Sequence, residues 1–215
     1  MSETLVINEI YKSIQGESSW VGFPCVFVRL TACDLRCSWC DTPYAFYEGT
    51  RTSLDEIVDR VLKLDCSLVE ITGGEPLLQP AVLPLMQRLC DLGMRVLIET
   101  SGAHDISKID PRVIRIMDLK CPGSGQESRN LYPNIGQLRS QDEVKFVIAD
   151  RADYEWAKAK LIEHNLTTCC TVLFSPVWEK LPPQQLVDWI LADKIPVRFQ
   201  VQLHKYIWDP KQRSV

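Results

Sequence analysis

Short apolar runs alternate with amphipathic stretches along the whole chain. Runs at 4–10, 23–31, 67–72, 95–100, 113–119, 143–149, 169–174 and 197–202 are strand-length and rich in Val, Ile, Leu and Phe. Between several of them apolar residues recur at helical spacing. Ser53-Leu-Asp-Glu56 is a capping box, and Ile57, Val58, Val61, Leu62 and Leu64 carry a helix behind it. Further helices are expected at 80–92, stopped by Gly93, at 152–164, and at 182–192 behind Pro182. Strands alternating with helices predict an α/β fold with a mostly parallel sheet. The polar stretch 123–141 is expected to be either a functional loop or poorly ordered.

Composition narrows the class. At 215 residues, 46% hydrophobic and 24% charged, the chain suits one globular domain spanning 1–215. A net charge of -4 argues against a nucleic-acid surface. No apolar run reaches membrane-span length and the N-terminus lacks a signal pattern, so a cytoplasmic protein with no membrane partner is expected. Nine cysteines is an odd number, and a disulfide framework is not expected in that setting. Asn165-Leu-Thr167 fits a glycosylation sequon but carries no meaning without a secretory signal. Cys25, Cys66, Cys90, Cys169 and Cys170 read as buried thiols. Cys121 stands apart, in a loop at the edge where chemistry is expected. His104 and His164 read as structural.

Cys33-Asp-Leu-Arg-Cys37-Ser-Trp-Cys40 changes the picture. Thiolates are soft ligands for zinc, Cu(I) or iron–sulfur clusters. A structural zinc takes four ligands, whereas three cysteines suit a cubane cluster with one open iron. A zinc knuckle completed by His204 or a distant cysteine, and three unrelated buried thiols, remain alternatives. Cys33, Gly73, Ser101, Lys120 and Ser175 all lie just past expected strand ends, the edge where ligands bind in barrels and open α/β sheets.

The cysteine spacing, with Trp39 before the third thiol and Gly73-Gly74-Glu75-Pro76 ending a strand, resembles the radical S-adenosylmethionine (SAM) superfamily. The resemblance implies a partial (βα)6-type barrel with incomplete helical cover, and a [4Fe-4S] cluster whose open iron chelates SAM. It implies SAM contacts at Trp39, Asp41, Gly74, Glu75, Glu99, Ser101, Asp118, Lys120 and Ser175. Glu99, Asp118 and Ser175 also read as ordinary ion pairs or turns at strand ends. Gln15-Gly16-Glu17, Arg29, Cys40-Asp41-Thr42, Ile71-Thr-Gly-Gly-Glu-Pro76 and His204-Lys205 together resemble the 7-carboxy-7-deazaguanine synthase family over nearly the whole chain.

That resemblance implies conversion of 6-carboxy-5,6,7,8-tetrahydropterin to 7-carboxy-7-deazaguanine with loss of ammonia, toward queuosine and other 7-deazapurines. Mg2+ would sit on Thr42, and the pterin on Ile14, Gln15, Gly16, Glu17, Arg29, Thr72 and His204. His204 is as readily a structural group. A flavodoxin- or ferredoxin-type electron donor and a homodimer are also implied. Two rivals stand beside this reading: a glycyl-radical activase acting on a protein, and a zinc-stabilised binding module. The extension from Tyr206 to Val215 departs from family members that end soon after the His-Lys pair. It is expected either to fold over the site or to leave that contact replaced.

Overall fold

The structure, a computed structural model, describes residues 3–215. Strand β1 (Thr4–Ile14) lies between β2 (Pro24–Leu30) and β3 (Thr50–Ser53), antiparallel to both. From β2 the sheet continues through β4 (Leu68–Gly73), β5 (Arg95–Thr100), β6 (Ile114–Asp118), β7 (Glu143–Ile148), β8 (Thr171–Pro176) and the stub β9 (Arg198–Phe199), each parallel to its neighbour. The order β3-β1-β2-β4-β5-β6-β7-β8-β9 places β3 and β9 at free edges, so the sheet is not closed.

Helices α1 (Leu54–Lys63), α2 (Val82–Asp91), α3 (Arg151–Glu163), α4 (Leu166–Cys169) and α5 (Pro183–Asp193) lie in the crossovers. The β5–β6 connection has no helix, and β6–β7 holds only 3-10 turns. The expected partial (βα)6 arrangement with incomplete cover is therefore present: six parallel strands, β2 and β4 to β8, before the stub. No helix of the described residues is long and apolar enough to cross a membrane.

Local sequence accounts for the boundaries. Ser53 caps α1 by accepting from the Glu56 N–H at 3.2 Å, as the capping box predicts. Gly93, at φ +80°, ends α2 with its N–H on Cys90 and the Met94 N–H on Leu89. β1 outruns its expected end because Tyr11 to Ile14 pair with Phe27 to Pro24, with Tyr11 stacked on Phe27 at 5.1 Å. β3 escaped the apolar pattern because Thr-Arg-Thr-Ser is a polar edge strand. The run 197–202 yields only two strand residues. Beyond Phe199 the chain leaves the ladder and turns into α6 (His204–Ile207).

The strands sort their side chains by alternation. One face of the sheet packs under the helices, through Val26, Val28, Leu30, Val69, Ile71, Val96, Ile98, Met117, Val144, Phe146, Val172 and Phe174. On the other face Cys25, Phe27, Leu68, Leu97 and Ile116 form a second apolar cluster toward the strands' amino ends. Beyond that plug the same face turns polar, with Arg29, Glu70, Thr72, Glu99, Asp118, Lys145 and Ser175 at inward positions. The stretch 123–141 is built rather than loose. Three 3-10 turns (Pro122–Ser124, Glu127–Arg129, Tyr132–Gln137) are tied down by Asn130, paired with both backbone groups of Lys120, and by buried Asn134.

Candidate active site

The cysteine loop leaves β2 through Thr31 and a left-handed Ala32 (φ +81°). Buried Leu35 anchors it, and the Arg36 guanidinium folds back onto the Cys33 and Leu35 carbonyls and over the Phe46 ring at 4.2 Å. Ser38 donates from its N–H to Ser124 O and from its hydroxyl to Gly123 O, which joins the loop to the 123–141 segment. Cys33, Cys37 and Cys40 are free thiols, each half-buried. Burial raises the Cys33 and Cys37 thiols above their ordinary value. Trp39 lies under the Lys180 ammonium at 5.2 Å.

The glycines of the Gly-Gly-Glu-Pro turn are needed for close approach. A Cβ on Gly74 would meet Ala32 O at 2.0 Å, and Gly73 takes φ +145° against Leu30. Their backbone braces the cysteine loop: Gly74 N–H donates to Leu30 O and Glu75 N–H to Ala32 O. Glu75 is fully buried, and its carboxylate is occupied by Leu77 N, the Thr100 hydroxyl and Ser101 N at 2.7–3.0 Å. Its side chain works as a brace between β4 and β5. The N–H of Ser101 is spent on it too.

The polar interior centres on Lys145, which sequence reasoning missed. Its ammonium bridges Glu17 at 2.9 Å and Glu99 at 2.8 Å. Glu99 also accepts from Thr72, and Glu70 accepts from the Gln15 amide. Burial pushes Glu17 up, but the Lys145 charge outweighs it and the carboxyl ends below its ordinary value. Burial raises Glu70 and Glu99, with neighbouring Glu99 and Glu17 respectively adding to the effect, so Glu70 stands well above the ordinary range. Burial lowers Lys145, yet the two carboxylates win and hold it charged. The signal was present in the sequence: a charged residue inside an apolar strand, as in Val-Glu-Ile or Glu-Val-Lys-Phe, marks an inward polar surface.

Arg29 is less free than its sequence role suggests. Its Nε donates to Glu9 at 2.7 Å and one terminal nitrogen to Tyr11, leaving the other nitrogen for a ligand. The expected backbone readers are partly committed. Gln15 N–H and C=O close the loop on Phe23 and Gly22, and Gly16 O accepts from Leu203 at 2.9 Å. Ile14 ends β1 opposite Pro24. His204 packs against Gly16 so closely that a Cβ there would meet its Nδ1 at 2.5 Å, and burial lowers its basicity.

Asp41 accepts from Gln202 and Lys205, each at 3.0 Å. Desolvation pushes its carboxyl up, but these partners bring it down to about 2. Thr42 precedes the 3-10 turn Pro43–Phe46 without spending its hydroxyl on a cap, and its Oγ1 lies 3.9 Å from Cys40 Sγ. The terminal extension folds back over β1. Arg213 stacks on Tyr44 at 3.7 Å and pairs with Glu48, and Ser214 donates to Glu9 at 2.8 Å. Cys121 is fully buried rather than placed in the mouth, and burial raises its thiol. His104 pairs with Asp34 and His164 stacks on Tyr132.

The residues fit a cluster with SAM beside it. Three soft donors lie on one braced loop and are not paired as disulfides. Among the described residues no three His, Cys, Asp or Glu side chains converge at single-ion spacing, Cys33, Cys37 and Cys40 included. Asp118 pairs one oxygen with Lys120 at 2.6 Å, while its buried Oδ1 has no partner among the described residues. That orphan acceptor suits a hydroxyl or ammonium donor brought by a ligand.

Comparison with known proteins agrees with this geometry. Residues 28–119 match the family model described as the Radical SAM superfamily. The chain is 47% identical to 7-carboxy-7-deazaguanine synthase of Chlorobaculum tepidum, over 98% of this chain and 97% of that one. It is also 47% identical to the enzyme of the same name from Koribacter versatilis, over 97% and 99%. The crystal structure of QueE from Escherichia coli superposes with a TM-score of 0.77 at 22% identity, covering 94% of this chain and 95% of that one, which is a likeness of fold. A whole-length match at this identity settles the family: the chain belongs to the radical SAM superfamily and, within it, to the 7-carboxy-7-deazaguanine synthases.

Proposed function

We propose that this chain converts 6-carboxy-5,6,7,8-tetrahydropterin to 7-carboxy-7-deazaguanine with loss of ammonia. The observation that carries the reading is the near-complete alignment with curated synthases at 47% identity. Cys33, Cys37 and Cys40 would hold the [4Fe-4S] cluster, and Trp39, Asp41, Gly74, Glu99, Ser101, Asp118, Lys120 and Ser175 would surround SAM. When bound, cluster and SAM supply the electron and the 5′-deoxyadenosyl radical that start the rearrangement.

The chain's own residues position and shield the substrate. The free nitrogen of Arg29 offers a donor to the pterin carboxylate. Glu17 is kept ionised by Lys145 and accepts from ring N–H groups. Glu70, pushed well above its ordinary value by burial and by neighbouring Glu99, accepts from the Gln15 amide and holds it in place. The apolar plug of Phe27, Leu68, Leu97 and Ile116 closes the floor and keeps bulk water from below. Thr42 would give Mg2+ one oxygen while substrate and water supply the rest. A flavodoxin- or ferredoxin-type donor, a homodimer and a cytoplasmic setting complete the proposal.

Anaerobic reconstitution with iron and sulfide, then carboxypterin, SAM, Mg2+ and reductant, should yield 7-carboxy-7-deazaguanine by mass. Its absence from a fully loaded enzyme would remove this reading. Thr42→Ala should raise the Mg2+ concentration for half-maximal rate by about tenfold, the worth of one good ligand in a site with few protein oxygens. An unchanged Mg2+ titration would take Thr42 out of that role.

A further inference from the structure

Gln200 is 5% exposed, and neither its amide nitrogen nor its amide oxygen has a partner among the described residues. Other shielded carboxamides of this chain are satisfied. Gln15 binds Glu70 and the Glu17 N–H, Gln79 binds Val6 twice and Thr31, and Asn134 binds three backbone groups. An unpaired buried donor and acceptor are each costly, so such a group needs an explanation.

Its position supplies one. The Gln200 N–H donates to Phe174 O, the bond that closes the last pair of the β8–β9 ladder, Phe174 with Phe199. Phe199 and Val197 pack with the helix-side core. Alternation therefore turns Gln200 to the opposite, polar face. Its neighbours on that face touch the loop after β1: Arg198 donates to the Ser19 hydroxyl, and Gln202 donates to Glu17. Gln200 lies between them in sequence.

We propose that Gln200 is a specificity residue whose carboxamide pairs with the donor–acceptor edge of the pterin's pyrimidinone ring. The inference rests on the proposed function. A carboxamide presents one donor and one acceptor side by side, which matches a lactam or aminopyrimidine edge. An anionic group would call for donors alone. The adenine of SAM offers a similar edge, but Arg198 and Gln202 on either side of Gln200 bond the loop after β1, which the proposed function gives to the pterin. A site that hydrogen-bonds such an edge discriminates strongly against rings that lack it.

The test uses reconstituted, unreduced holoenzyme with Mg2+, so that no turnover occurs. Equilibrium binding of carboxypterin and of SAM is measured for the natural chain and for Gln200→Met, with the melting temperature of each. Gln200→Leu is a second apolar variant should the first not fold. Pterin affinity should fall roughly 5- to 100-fold, the worth of lost hydrogen bonds to a buried partner. SAM affinity should stay within about twofold, and the ligand-free variant should melt no lower, because an unpaired polar group has been removed. Unchanged pterin affinity would overturn the assignment. So would a loss of SAM affinity in its place, or a lower melting temperature without a binding change. If the natural chain itself binds no pterin, the functional reading fails first and this inference falls with it.

Discussion

Cys37→Ala should leave a folded chain that, after anaerobic reconstitution, makes no 7-carboxy-7-deazaguanine above background. The middle thiol sits on a loop held at several points that do not depend on it: Leu35 in the core, Ser38 on Gly123 and Ser124, and the Gly74 and Glu75 N–H groups on Leu30 and Ala32. On the proposed reading, removing one half-buried sulfur deletes a cluster ligand without deleting the scaffold. With two thiolates left, the ligand set for a cubane is incomplete. The measurement pairs product formation with iron content and the broad visible absorption of the reconstituted protein. A variant with natural iron content and full turnover would refute the cysteine assignment, and with it the reading of the site.

Lys145→Met should cost the fold about 3–5 kcal/mol, because it strands the largely shielded Glu17 and Glu99 without their shared cation. At this chain length that is roughly 10 °C of melting temperature. The pH dependence carries the sign. In the natural chain Glu17 lies below its ordinary value, so its contribution is present above the unfolded carboxylate value and is lost as pH falls through the lower folded one. Lys145 lies above its ordinary value, so its share persists until pH rises past the folded one. In the variant Glu17 loses the strongest influence that lowers it and keeps the Gln202 hydrogen bond and His204, so the shielded carboxyls shift toward protonation. The deficit should therefore be larger at pH 8 than at pH 5. Thermal melts at both values test it, and an equal deficit would mean that the three groups do not act as one network. Pterin binding should weaken as well, since Glu17 loses what fixes its charge and position.

The alternation of strands and helices was legible because apolar runs and the Ser53 and Gly93 signals are local. So was the cysteine loop, whose three thiols lie close in sequence. The β3 edge and the extra turns of β1 were not, since pairing with a distant strand decided them. Site residues divided the same way. Cys33, Gly74, Asp118 and Lys120 stand at or just past strand ends, as the motifs lead one to expect. Lys145 and Glu70 could be found only by asking why an apolar strand tolerates a charge. Glu75 shows a further limit: a motif residue can act by holding backbone in place, and only its three donors reveal that.

The unclosed sheet has a consequence for traffic. Between the stub β9 and the chain after β1 there is no ladder, and the gap is bridged by Leu203 N–H on Gly16 O and by side chains such as Gln202 on Glu17. An opening there would break only that bridge and leave every strand pairing intact, so access through this seam would cost the core none of its ladder.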